Sequence, residues 1–229
     1  MKSYFNKILS NNRIFLIPFS ALFLFGLIFF IINKNDELLF YFNSHRTSFL
    51  NEYFKFSTNL LSGIGIVILL LIASSHKYST FFKIGISSLF SFLIVELIKH
   101  LTNFPRPSTY FANNPSIILN PVNNIALIPM HSFPSGHSAN AFAIFFGFSM
   151  VLKNQYAKLA CLFIACSIAL SRVYLLQHFT RDILFGSLFG VITASFVFYI
   201  FDNYIFINKS AWYDKSIFSN LVKYERTVK

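Results

Sequence analysis

Charge is what this sequence has least of. Only 12% of the 229 residues are charged, whereas 55% are hydrophobic. A soluble domain of ordinary composition is excluded, and the membrane class is indicated. Acidic residues are scarcer still, 8 against 19 Lys and Arg, giving a formal charge of +11. Such a balance can signal nucleic acid, but the basic residues form neither a run nor an aromatic-interleaved stripe; they fall between apolar stretches. Binding a phosphate backbone needs a continuous basic surface, so no nucleic-acid partner is expected. Cysteine is limited to Cys161 and Cys166, five residues apart inside one apolar stretch. On a helix they point to different faces, which argues against a disulfide or a metal site. Internal repeats, low-complexity linkers and alternating ten-residue strand patterns are absent, which removes solenoids and outer-membrane barrels.

What remains is a series of apolar stretches at about 14–32, 56–73, 81–98, 138–152, 157–174 and 183–201. Most approach the roughly 20 residues with which a helix crosses the hydrocarbon core. Backbone polar groups must be paired within lipid, so the expected fold is all-α, a polytopic bundle of six transmembrane helices. One domain spans 1–207, and a polar cytoplasmic tail spans 208–229. The first stretch follows Lys2, Lys7 and Arg13 as a signal peptide would, but Ile31-Ile32-Asn33-Lys34-Asn35 offers no small-residue cleavage site, and an anchor is expected. Gly186 and Gly190 form a G-x-x-x-G that permits close helix approach. A cytoplasmic N-terminus puts Lys2, Lys7, Arg13, Lys77, Lys83, Lys153, Lys158 and the C-terminal basic residues inside, as the positive-inside rule prefers. With that orientation the third span ends, the fourth begins, the fifth ends and the sixth begins at the outer face. The unusual polar residues of the second half gather there.

Three segments hold these residues: Lys99 to Pro107 (KHLTNFPRP), Pro134 to Ser138 (PSGHS) and Ser171 to Asp182 (SRVYLLQHFTRD). Lys99, Arg106 and Arg172 supply positive charge, and the planar arginine fork suits phosphate oxygens. Ser135-Gly136 opens the fourth span, where glycine allows close backbone approach and free N–H groups point out of the helix N-terminus. His178 and Asp182, four apart, would share one helix face, so the carboxylate can accept a hydrogen bond from one ring nitrogen and leave the other as a nucleophile. His137, from another helix, can protonate the leaving group and then activate water. The expected chemistry is attack on phosphorus.

The three segments resemble the signature of the type 2 phosphatidic-acid phosphatase superfamily, which includes the vanadium haloperoxidases: K-x6-R-P, P-S-G-H and S-R-x5-H-x3-D, complete here and in order from Lys99 to Asp182. The resemblance implies a six-helix fold and a phosphohistidine mechanism that uses no metal or other cofactor. It assigns phosphate binding to Lys99, Arg106, Ser135, Gly136 and Arg172. Acid and base work falls to His137, nucleophilic attack to His178, and orientation of that histidine to Asp182. The expected activity is hydrolysis of a phosphomonoester or diphosphate on a membrane lipid, at the periplasmic face of a bacterial inner membrane, with no obligatory protein partner. Lipid A is slightly favoured as substrate by analogy; undecaprenyl diphosphate, phosphatidylglycerol phosphate and phosphatidic acid are the alternatives. Transfer of phosphate to another lipid would use the same intermediate. A haloperoxidase is disfavoured because halide oxidation gains nothing from a lipid-facing site, and a non-catalytic lipid carrier because both histidines are retained.

Six positions outside the signature have local readings. Glu96 is expected to pair with Lys99 or His100 one turn on. His131, in the loop before the second motif, is expected to be solvated. Arg181 has two readings, a ligand for a second phosphate or an anchor at the interface. Tyr204, Trp212 and Tyr213 resemble an aromatic belt.

Overall fold

The computed structural model describes residues 2–33, 35–205 and 215–217. Among them every regular element is helical: α1 (Lys2–Asn11), α2 (Arg13–Ile32), α3 (Glu37–Ser44), α4 (Ser48–Asn59), α5 (Gly63–His76), α6 (Tyr78–Thr102), α7 (Pro107–Tyr110), α8 (Gly136–Val151), α9 (Gln155–Tyr174), α10 (Thr180–Ile200) and a closing π-turn, Phe201–Ile205. The all-α expectation holds. The polar tail at 208–229, with Trp212 and Tyr213, lies outside the described residues except for 215–217.

Helix starts follow local hydrogen bonding. The Thr47 hydroxyl accepts the Leu50 N–H (3.1 Å), and the Asn154 carboxamide accepts the Tyr156 and Ala157 N–H groups (2.8 and 3.1 Å). These side chains satisfy donors that have no partner within the first helical turn, which sets where the helices begin.

The span count differs from the expected six. Among the described residues, four helical segments are long and apolar enough to cross a membrane: α2, α6 with its extension to Tyr110, α9, and α10 with the π-turn. A fifth is counted if α4 and α5 form one broken span, since they meet at a 61° bend. The expected stretch at 56–73 straddles this break at Leu60, Leu61 and Ser62, where Ser62 caps α5 by accepting the Gly65 N–H (3.2 Å). The expected fourth span, 138–152, is α8, whose 16 residues fall short of a full crossing. It occupies the middle of the bundle, packed against α6, α9 and α10, with Ala141 to Ser149 continuously buried. Neighbouring helices shield α8 from lipid, so its length need not match the bilayer.

The G-x-x-x-G of α10 has a specific structural use. A Cβ on Gly186 would sit 2.5 Å from the Ser135 carbonyl oxygen, and one on Gly190 would overlap the Ala139 carbonyl. Only glycine lets α10 lie this close to the start of α8. At the opposite end of the bundle, Asp202 accepts the Tyr4 hydroxyl (2.6 Å) and pairs with Lys83, while Lys158 donates to the Asn12 side chain (3.1 Å). The helix ends bearing these lysines are thus tied together away from the three motifs.

Candidate active site

Each signature residue sits at a helix end, where the chain leaves regular structure and side chains can converge. Lys99 lies in the last turn of α6, which stops at Asn103 in the left-handed conformation (φ 43°). Asparagine tolerates that region better than most residues. Arg106 caps α7, whose first residue is Pro107, a position where the missing N–H costs nothing. Ser135 caps α8, accepting the Ser138 N–H (3.4 Å) and hydroxyl (3.0 Å). Arg172 is in the last turn of α9, and the loop that follows turns through Leu176 (φ 58°) to present His178.

Backbone hydrogen bonds lock the motifs together. The Ser135 N–H donates to the Asp182 carbonyl (3.0 Å), the His178 N–H to the Arg172 carbonyl (3.1 Å), and the Ser132 N–H to the Phe104 carbonyl (2.9 Å). All eight predicted residues are brought to one end of the bundle. Lys99, Arg106, Ser135, Arg172, His178 and Asp182 are each at most 9% exposed. A Cβ added to Gly136 would lie 3.4 Å from the Lys99 ammonium, which places that charge beside the α8 N-terminus. Arg172, His178, Lys99 and Arg106 all stand within electrostatic reach of His137.

The His178 and Asp182 pair forms by a different route from the expected one. His178 precedes α10 and does not share its face. Asp182 is the third residue of the helix, and its carboxylate turns back to accept the Phe179 N–H (2.9 Å), capping its own helix. The same oxygen, Oδ2, accepts the Ser132 hydroxyl (2.5 Å) and stands 3.5 Å from His178 Nδ1. A carboxylate is favoured at this position by the helix dipole and by the free N–H groups of the first turn. The cap therefore fixes the group that faces the imidazole, leaving Nε2 on the far side of the ring.

Burial pushes the His178 imidazole down from its ordinary value to about 4; Asp182 opposes the shift, and Arg106 and Arg172 reinforce it. A group whose value is lowered stays unprotonated down to that value. His178 is thus expected to remain a neutral imidazole from pH 7 to well below pH 6. NMR titration of histidine-labelled protein, with the resonance assigned by its loss in His178→Asn, checks this. A midpoint at or above 6.5 would contradict the geometry.

The cations differ in how they are held. Arg172 donates from Nη1 to the Thr58 hydroxyl (2.7 Å), while its buried Nε has no hydrogen-bond partner. Buried donors without partners are rare and are expected where a ligand binds. Lys99 pairs with Glu96 (2.7 Å), the local partner expected for that carboxylate. Burial lowers the Arg106 guanidinium from its ordinary value, opposed by Asp182 and Glu96. Arginine's very high starting value keeps it charged.

The sequence model of the PAP2 superfamily matches residues 80–206, more than half of the chain and all three motifs. The chain belongs to the PAP2 superfamily. Its fold is similar to the crystal structure of LpxE from Aquifex aeolicus, with 26% identity, a TM-score of 0.61, and coverage of 71% of this chain and 93% of that one. It is also similar in fold to the first transmembrane PAP2-type phosphatidylglycerolphosphate phosphatase from Bacillus subtilis, at 22% identity and a TM-score of 0.55, covering 82% of this chain and 96% of that one. No curated protein matches this chain in sequence. The long apolar helices and these membrane relatives identify a multi-pass membrane protein of the PAP2 lipid phosphatase fold.

In this PAP2 chain the residues around the signature also took positions that sequence spacing did not foretell. Thr58 and Ser132 were missed, although a threonine within the apolar stretch 56–73 was a visible signal for the first. His131 is half-buried, not solvated, with Nδ1 3.3 Å from the Lys99 carbonyl and its ring against His100 at 5.0 Å. Arg181 stacks on Phe104 (4.6 Å) and Phe133 (5.1 Å), with Nε 3.5 Å from Asp182 Oδ1. That geometry favours the anchoring reading over a second phosphate. Cys161 and Cys166 are both free thiols.

Proposed function

We propose that this protein is a lipid phosphatase working through a phosphohistidine on His178. One observation carries the reading: three cations, a helix N-terminus and a histidine backed by a buried carboxylate converge at one end of a membrane bundle. Lys99, Arg106, Arg172, the Ser135 hydroxyl and the backbone N–H of Gly136 bind the phosphoryl oxygens. These fixed donors neutralise the charge spread over the equatorial oxygens of the transition state. His178 Nε2 donates its lone pair to phosphorus while Nδ1–H remains directed at Asp182, which stabilises the positive imidazole that results. The ester P–O bond breaks, and His137 gives its proton to the departing oxygen. His137 then takes a proton from water, the hydroxide attacks phosphorus, and the P–N bond breaks to release phosphate and neutral His178. The cationic side chains supply the charge stabilisation, so we propose chemistry that needs no metal ion.

We place the site at the periplasmic face, with both termini cytoplasmic. The support is the clustering of Lys83 and Lys158 at the end away from the motifs, as the positive-inside rule prefers. A cysteine at exposed Asn113 is expected to react with an impermeant thiol reagent applied from outside; labelling only after permeabilisation would invert the site. For substrate, lipid A phosphate is our first reading, with undecaprenyl diphosphate and phosphatidylglycerol phosphate next. Phosphate release from the three, compared side by side in detergent, is expected to be fastest with lipid A. Equal rates would refute that preference, and labelled phosphate appearing on an added acceptor lipid would replace hydrolysis by transfer.

A further inference from the structure

Gln177, the residue before His178, is 2% exposed in a loop whose other side chains, Leu175, Leu176 and Phe179, are apolar. Burying an amide is costly unless both its oxygen and its nitrogen are bonded. Here both are. Its Oε1 accepts a hydrogen bond from Arg106 Nη1 (2.9 Å), and its Nε2 donates to the Ala126 carbonyl (3.0 Å). Arg106 is held a second time by its Nε, which donates to the Met130 carbonyl (3.0 Å). Two of the three guanidinium nitrogens are therefore committed to the protein, and Nη2 makes no hydrogen bond among the described residues.

We propose that Gln177 is a positioning residue for phosphate binding: it clamps Arg106 so that Nη2 faces the reacting phosphoryl group, and it joins that arginine to the outer loop through Ala126. The proposal rests on the phosphatase reading above. The neutral amide matters chemically. A carboxylate at this position would hold the same nitrogen but cancel the charge that phosphate needs, whereas an amide orients the guanidinium and leaves its charge intact. Because Gln177 and His178 are adjacent, one short loop sets both the nucleophile and the orientation of a cation gathered from 71 residues away.

The test is a double-mutant cycle on the full-length protein in detergent, read by kcat/KM for lipid phosphate and by competitive inhibition with orthovanadate. Gln177→Leu is expected to lower kcat/KM about 10-fold and weaken vanadate inhibition similarly, the usual scale for misplacing one charged hydrogen bond. In an Arg106→Ala background the same change is expected to alter either quantity by less than about 2-fold, because residues acting as a unit are not additive. An equal 10-fold loss in both backgrounds would overturn the positioning role and leave the phosphatase reading standing. If Arg106→Ala itself left vanadate inhibition unchanged, the phosphate site would be wrong and Gln177 with it. Gln177→Glu keeps the side-chain size and an acceptor for Arg106, so it guards against a folding failure in the leucine variant. Glutamate is expected to weaken vanadate inhibition at least 10-fold, an effect of charge that a purely structural role would not produce. Vanadate inhibition unchanged in Gln177→Glu would refute the proposal.

Discussion

His178→Ala is expected to leave no phosphate release above the background rate on any lipid tested, a loss of at least about 10⁴-fold if covalent catalysis is the route. The size follows from the site: no other side chain at the cluster offers a neutral nitrogen with a carboxylate behind it. His137, the other imidazole of the signature, has no such backing among the hydrogen bonds of the described residues, and its proposed role is proton transfer. The variant is expected to fold, since His178 makes no side-chain hydrogen bond that holds helices together. Quenching the reaction with radiolabelled substrate in alkaline denaturant, where a phosphohistidine survives, separates the mechanisms further. Wild-type protein should carry acid-labile label, and His178→Ala should carry none. Wild-type turnover by His178→Ala would end the phosphohistidine proposal, whatever the substrate.

Asp182→Ala is expected to be the next most damaging change, lowering kcat about 10³-fold or more through loss of imidazole orientation. It removes the acceptor for the Ser132 hydroxyl and the Phe179 N–H, and the carboxylate that stands 3.5 Å from His178 Nδ1. Both donors are then buried without partners, and an unsatisfied buried donor costs about 1–3 kcal/mol each. Unfolding temperature should therefore fall together with activity. Asp182→Asn is the informative companion, since it retains an acceptor for the cap but loses the charge that stabilises the phosphorylated imidazole. Its stability should lie near wild type while kcat stays far below it. If asparagine supported full activity, the carboxylate would be only a helix cap.

The outline of the site was legible because of what surrounds it. In a chain so poor in charge, Lys99, Arg106, Arg172, His137, His178 and Asp182 stand out at the ends of apolar stretches, and their spacing matches one signature. Alternation of apolar and polar stretches also placed four helices close to their observed limits. The reading failed where tertiary packing competes with composition. The stretch 56–73 is apolar on average, yet Ser57, Thr58, Asn59 and Ser62 interrupt its first half, and the chain breaks at Leu60 to Ser62, where Ser62 caps a new helix. The stretch at 138–152 was apolar enough to count as a span, but burial among three neighbours, not contact with lipid, accounts for its character. The spacing of His178 and Asp182 suggested a shared helix face, whereas the helix begins between them and the carboxylate reaches back as a cap.

By itself, then, the sequence determined the membrane class, the helical architecture and the roster of charged groups, because polar residues in an apolar chain persist only where they are used. Tertiary structure alone decided how those groups are held. Arg106 meets Gln177 across 71 residues, Asp182 meets Ser132 across 50, and Arg172 meets Thr58 across 114. Contacts so distant in the chain leave no periodic trace in it. They arise only when helix ends are brought together, and the closeness that permits this comes from the absent side chains of Gly186 and Gly190, which let α10 carry Asp182 against the start of α8.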